Sequence, residues 1–97
     1  MASRERVFEL PPDLRNAAAA DVRDQLLEVL SRAKMQLTID GQRVRQVDTS
    51  GLQLLLSLAQ TCEERGIRLR WKAVSEELLR WCWIGRVSER LGLGERA

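Results

Sequence analysis

The chain has 97 residues, which suits one domain spanning 1–97 and leaves little room for a second. Apolar residues make up 44% and charged residues 31%, so a packed globular domain is expected rather than disorder. The 16 Lys and Arg are interleaved with 14 Asp and Glu, which argues against a nucleic-acid face, and the absence of histidine removes His-based acid–base, triad and metal-ligand chemistry.

Val7-Phe8-Glu9-Leu10 is a short strand, stopped by Pro11-Pro12 because proline cannot donate to a ladder. The Asp13-Leu14 pair begins again after the break, and an extra strand is possible near the start. Asn16 is a candidate cap for a helix from Ala17 to about Arg32. Val22, Leu26, Leu30 and Ala33 recur there at helical spacing, and Leu27 and Val29 widen the stripe. Met35, Leu37 and Ile39 then alternate with Gln36, Thr38 and Asp40, the pattern of a half-buried strand.

The second helix is expected from Leu52 to about Arg65, with Leu52, Leu55, Leu56, Ala59 and Cys62 on one face and Gly66 as its C-cap residue. Ile67, Leu69 and Trp71 alternate with Arg68 and Arg70 in a further strand. Arg68, Arg70 and Lys72 would share one face of it, either simply solvated or facing an acidic partner. Ser75 caps a third helix, with Glu76 and Glu77 in its first turn, where the helix dipole favours acids. Gly85 ends or bends that helix, and Val87, Leu91 and Leu93 suggest one more helical turn. Trp81 and Trp83, two residues apart, cannot share a helix face. Either all three tryptophans close the core at the sheet edge, or an exposed one marks a partner patch or homodimer contact.

Cys62 and Cys82 lack metal or redox spacing and read as buried, reduced thiols. Residues 1–16 hold no apolar segment of signal-peptide type and no run is long enough to span a bilayer, so a cytoplasmic chain without membrane insertion is expected. No catalytic residue, cofactor or metal is expected, and the chain reads as a binding protein rather than an enzyme. Strand and helix alternate throughout, which gives an α/β fold.

Between strand and second helix stands Val47-Asp48-Thr49-Ser50-Gly51-Leu52. Ser50 and Gln53 have capping-box spacing, Thr49 or Asp48 could cap instead, and Gly51 permits a sharp turn. Local helix-start chemistry accounts for these residues. A second reading is that one hydroxyl is chemically used, since a phosphate at Ser50 would meet free helix N–H groups while Asp48 repelled it.

The stretch "VRQVDTSGLQLLLSLAQTCEERGIRLRW" resembles the STAS domain family, the fold of bacterial anti-sigma factor antagonists. In that family a strand leads to an Asp, one or two Ser/Thr and Gly-Leu opening the second helix. "LTID" and "SEELL" resemble the flanking strand and third helix, and "LGL" the family's ending. The resemblance implies a single-domain STAS-like fold: a mixed β-sheet of about four strands covered by three to four helices, mainly on one side. The N-terminal hairpin is shorter than the family pattern, with Pro11-Pro12 where a second strand is usual.

It further implies a regulatory module that binds a kinase-type anti-sigma factor and is controlled by phosphorylation of Ser50. Asp48, Thr49, Ser50, Gly51 and Leu52 would form the partner surface. The alternative it implies is an accessory STAS subunit binding the ATPase of a phospholipid-transport ABC complex, where Thr49 would be the important hydroxyl. A third branch is a sensory or chemotaxis-pathway STAS protein.

Overall fold

The computed structural model describes residues 7–33, 35–84 and 90–91. Its elements run β1 (Val7–Glu9), β2 (Asp13–Leu14), α1 (Asn16–Arg32), β3 (Gln36–Gly41), β4 (Gln46–Val47), α2 (Thr49–Arg65), β5 (Arg68–Val74) and α3 (Glu76–Ile84). The expected α/β class is observed. The sheet is divided: β1, β3 and β5 form one ladder in the order β1-β3-β5, and β2 with β4 forms a separate pair. Every pairing among the described strands is parallel, where a mixed sheet was expected.

Among the described residues β1 and β2 do not pair as a hairpin, and the prolines explain why. β1 lies on the outside of β3, and its ladder ends where the Leu10 N–H donates to the Asp40 carbonyl at 2.9 Å. Pro11 and Pro12 have no N–H to carry that ladder on. The Pro12 carbonyl still accepts, receiving the N–H groups of Arg45 at 2.8 Å and Gln46 at 3.0 Å. The chain therefore leaves one ladder and enters another within four residues. Asn16 does not cap α1. Arg15 holds the cap position without a side-chain bond, and Asn16 itself has a φ of 41°. Asp13 stabilises this entry by accepting from both the Arg15 backbone N–H and its guanidinium. The same hydrogen bonds hold the Asp13 carboxyl below its usual range.

β3 is central, and this overrides its alternating pattern. Leu37, Thr38 and Ile39 are all buried, Thr38 at only 4% exposure. Leu37 and Ile39 share a face with Phe8, Leu69 and Trp71 by register, and that face looks onto the core. The opposite face carries Val7, Glu9, Arg68 and Arg70, all exposed. Thr38 lies between Val7 and Arg70 across the ladder, so strands on both sides shield it.

In α1 the buried stripe is Ala19, Val22, Leu26 and Leu30, while Leu27 turns outward at 51% exposure. In α2 it is Gly51, Leu54, Leu55, Leu58 and Cys62, with Leu52, Leu56 and Ala59 on its margin. Each fully buried leucine contributes about 2 kcal/mol of transfer free energy. Gly66 ends α2 as expected, left-handed at φ 71°, with the Ile67 N–H reaching back to the Cys62 carbonyl at 2.8 Å. Ser75 caps α3 by accepting from the Leu78 N–H at 3.0 Å. Gly85, Val87 and Leu93 lie outside the described residues.

The tryptophans have separate fates. Trp71 is half-buried, its indole N–H donating to the Leu91 carbonyl at 2.8 Å. Trp81 donates to the Glu77 carboxylate at 3.0 Å. Trp83 is 52% exposed, which excludes the arrangement in which all three close the core.

Two outcomes follow from this packing. Burial pushes the Cys82 thiol up to about 11 and raises Cys62 as well. Ellman's reagent near pH 8 is expected to react with neither thiol until denaturant is added, when both respond. A Cβ on Gly51 would lie 2.3 Å from the Leu14 carbonyl oxygen, a backbone atom that cannot swing away. Gly51→Ala is expected to destabilise by about 2 kcal/mol or more, lowering the thermal midpoint by roughly 10 °C in a circular-dichroism melt.

Candidate functional site

β4 runs beside β2 with Leu14 opposite Val47, and α2 begins two residues later. Asp48 caps that helix. Its backbone is extended at φ −134°, and its carboxylate accepts from the Gly51 N–H at 3.2 Å. Thr49, Ser50 and Gly51 are therefore the first three helical residues. The serine–glutamine capping box offered by the spacing is not used, because Asp48, two residues earlier, is the cap and places Ser50 inside the first turn.

This division leaves the hydroxyls uncommitted. Thr49 and Ser50 are exposed, and among the described residues neither hydroxyl has a hydrogen-bond partner. Gly51 is buried against Leu14 and Leu52 is half-buried, so the five candidate residues divide into an exposed polar tip and a packed base. Gly51 does not make a left-handed turn. Its role is close approach, its missing side chain letting α2 lie on the β2 backbone.

Ser50 also borders a shallow groove of about 320 Å³ between α1 and α2, where Ala19 and Ala20 keep the α1 wall low and Arg23 stands on its rim. Arg23 makes one ion pair, at 3.8 Å, with its neighbour Asp24. Both side chains are largely exposed, so the pair contributes little. Sequence reasoning missed Arg23 and Leu14. Arg23 sits in an ordinary solvated pattern, and nothing local marks Leu14 as the backbone that Gly51 must meet.

Among the described residues, no group of three His, Cys, Asp or Glu side chains is placed to hold a metal ion, and no helix is long and apolar enough to cross a membrane. The site thus presents a carboxylate, two hydroxyls and the positive end of a helix dipole.

The cap assignment sets the stability of variants. Ser50→Ala is expected to shift the folding free energy by less than about 0.5 kcal/mol, whereas Asp48→Ala costs about 1 kcal/mol, measured by urea denaturation. Equal losses in the two would contradict the cap.

Comparison with known proteins gives one family. The family model described as "Mlab, STAS domain" matches residues 1–91. No curated protein and no solved structure matches the chain. STAS domains are generally non-catalytic modules for regulatory protein–protein interaction. With the strand–Asp-Thr-Ser-Gly–helix junction in place and the match covering nearly the full length, the chain belongs to the STAS domain family.

Proposed function

We propose that this chain acts as one STAS domain, without catalysis of its own, that docks a cytoplasmic protein partner through Asp48, Thr49, Ser50, Gly51 and Leu52 and is switched by phosphorylation of Ser50. The observation that carries the reading is the exposed, unbonded Ser50 hydroxyl in a helix start already capped by Asp48. A residue that neither caps nor packs is free for chemistry. The partner is a kinase-type anti-sigma factor. It transfers the γ-phosphoryl group of ATP to the Ser50 oxygen, forming that O–P bond, breaking the bond to ADP and releasing the hydroxyl proton.

The consequence is electrostatic. An unmodified α2 start presents one carboxylate and a positive helix end. Phosphoserine adds about two negative charges beside Asp48. The helix N–H groups and dipole tolerate the phosphate on the folded protein. A partner surface shaped for two neutral hydroxyls would have to desolvate a dianion, so binding is lost.

A second reading is favoured by the description of the matching family model. In it the same surface holds the ATPase subunit of a phospholipid-transport ABC complex permanently, and Thr49 rather than Ser50 is the central contact.

Co-purification from native cells followed by intact mass separates them. The switch predicts one added phosphate on incubation with ATP and the kinase, its absence in Ser50→Ala, and at least about a tenfold loss of partner affinity on modification. Modification that persists in Ser50→Ala, or none at all, overturns it. A stable unmodified complex with an ATPase, weakened by Thr49→Arg and not by Ser50→Ala, establishes the second reading instead.

A further inference from the structure

A surface remote from the start of α2 remains unexplained. β5 is a terminal strand of the ladder β1-β3-β5, and no described strand pairs with its outer edge. The Arg68 N–H donates to the Met35 carbonyl at 2.8 Å, so Arg68 turns its backbone toward β3. Backbone groups alternate along a strand, and the N–H and C=O groups of Leu69 and Trp71 therefore point to the open edge. Such an edge is a template for another strand.

Its side chains state which kind of strand. Arg68, Arg70 and Lys72 are exposed, and none of them is paired with a described carboxylate. Arg68 and Arg70 share the solvated face. Lys72 does not join them in register, because the ladder passes from Ile39–Trp71 to Asp40–Ala73 and leaves Lys72 as the residue of a bulge. The pairing edge is thus Arg68 to Trp71, with Lys72 closing one end. On the other face, beside Leu69, a cavity of about 490 Å³ opens between β5 and the last turns of α2. Cys62, Ile67, Leu69 and Leu91 line it, with Glu63 and Arg90 of opposite sign.

We propose that the outer edge of β5, unpaired among the described strands, accepts an extended acidic segment of a partner protein as an added strand. Cross-strand neighbours share a face. Acidic residues opposite Arg68 and Arg70 would meet the two guanidiniums, and an apolar residue opposite Leu69 would enter the cavity. Alternation of acid and apolar residues is the recognised pattern. A second copy of this chain fits poorly, since its own edge would set cations against cations.

The test is an NMR titration of the whole chain with a short synthetic peptide alternating glutamate and valine. Two control peptides carry lysine for glutamate, or proline for alternate valines. Leu69 and Trp71 amide signals are expected to shift and exchange more slowly, and the controls should leave them unchanged. Arg68→Glu with Arg70→Glu weakens binding at least about tenfold, as does raising the salt to about 0.5 M. Arg70→Gln, at an exposed position, serves should the double variant fail to fold, with a smaller loss in the same direction. The proposal is overturned by no shift at about 1 mM peptide, by equal binding of the proline control, or by undiminished binding to the charge variants. A concentration-dependent dimer whose interface maps to β5 would overturn it in favour of self-pairing.

Discussion

The fold around the candidate site depends on one close approach. α2 lies on the backbone of β2 at Gly51, and nothing larger than hydrogen fits between that Cα and the Leu14 carbonyl. β2 is only two residues long and could not hold a helix by area alone. It is fixed by three sets of bonds: its ladder to β4, the Pro12 carbonyl accepting from Arg45 and Gln46, and the Asp13 carboxylate clamping Arg15. The prolines that stop β1 thus place the platform on which the site is built. Seating α2 at its first turn, rather than mid-helix, leaves the cap and the two hydroxyls projecting past the contact.

Capping alone does not require Asp48, Thr49 and Ser50 together. A helix start needs one side-chain acceptor, and Asp48 supplies it. Two further hydroxyls at the first helical positions satisfy no backbone group there. They are compatible with the helix, cost it little, and stay in solvent.

What could be read from the sequence was periodic or punctuated. The three helices showed through apolar spacing, and Gly66 and Ser75 through their end chemistry, because these signals are local. What stayed hidden was decided across space. Thr38 has the polarity of an outward residue, yet β1 and β5 on either side bury it. Leu27 has the polarity of a core residue and points outward. Gly51 was visible as a special residue, but its reason, a carbonyl from thirty-seven positions earlier, was not. The site residues themselves were legible as a motif. Which of them caps was not, since Asp48, Thr49 and Ser50 are all competent acceptors and only the backbone path chooses.

The two proposed surfaces are electrostatically separate, and length and screening show why. α2 holds 17 residues, and at about 1.5 Å per residue its two ends lie about 25 Å apart. Arg68 follows directly after the far end, across Gly66 and Ile67. At physiological ionic strength exposed charges are screened over about 8 Å. A dianion at Ser50 therefore alters the potential at the start of α2 sharply and that at Arg68 scarcely at all. With most acids and bases interleaved along the chain, the net +2 says little about either place. What matters is local: the Asp48 carboxylate, within reach of the Arg15 charge, beside two hydroxyls at one end of α2, and cations without described partners beyond the other. A charge change at the first could release one partner while an acidic strand stayed on the second.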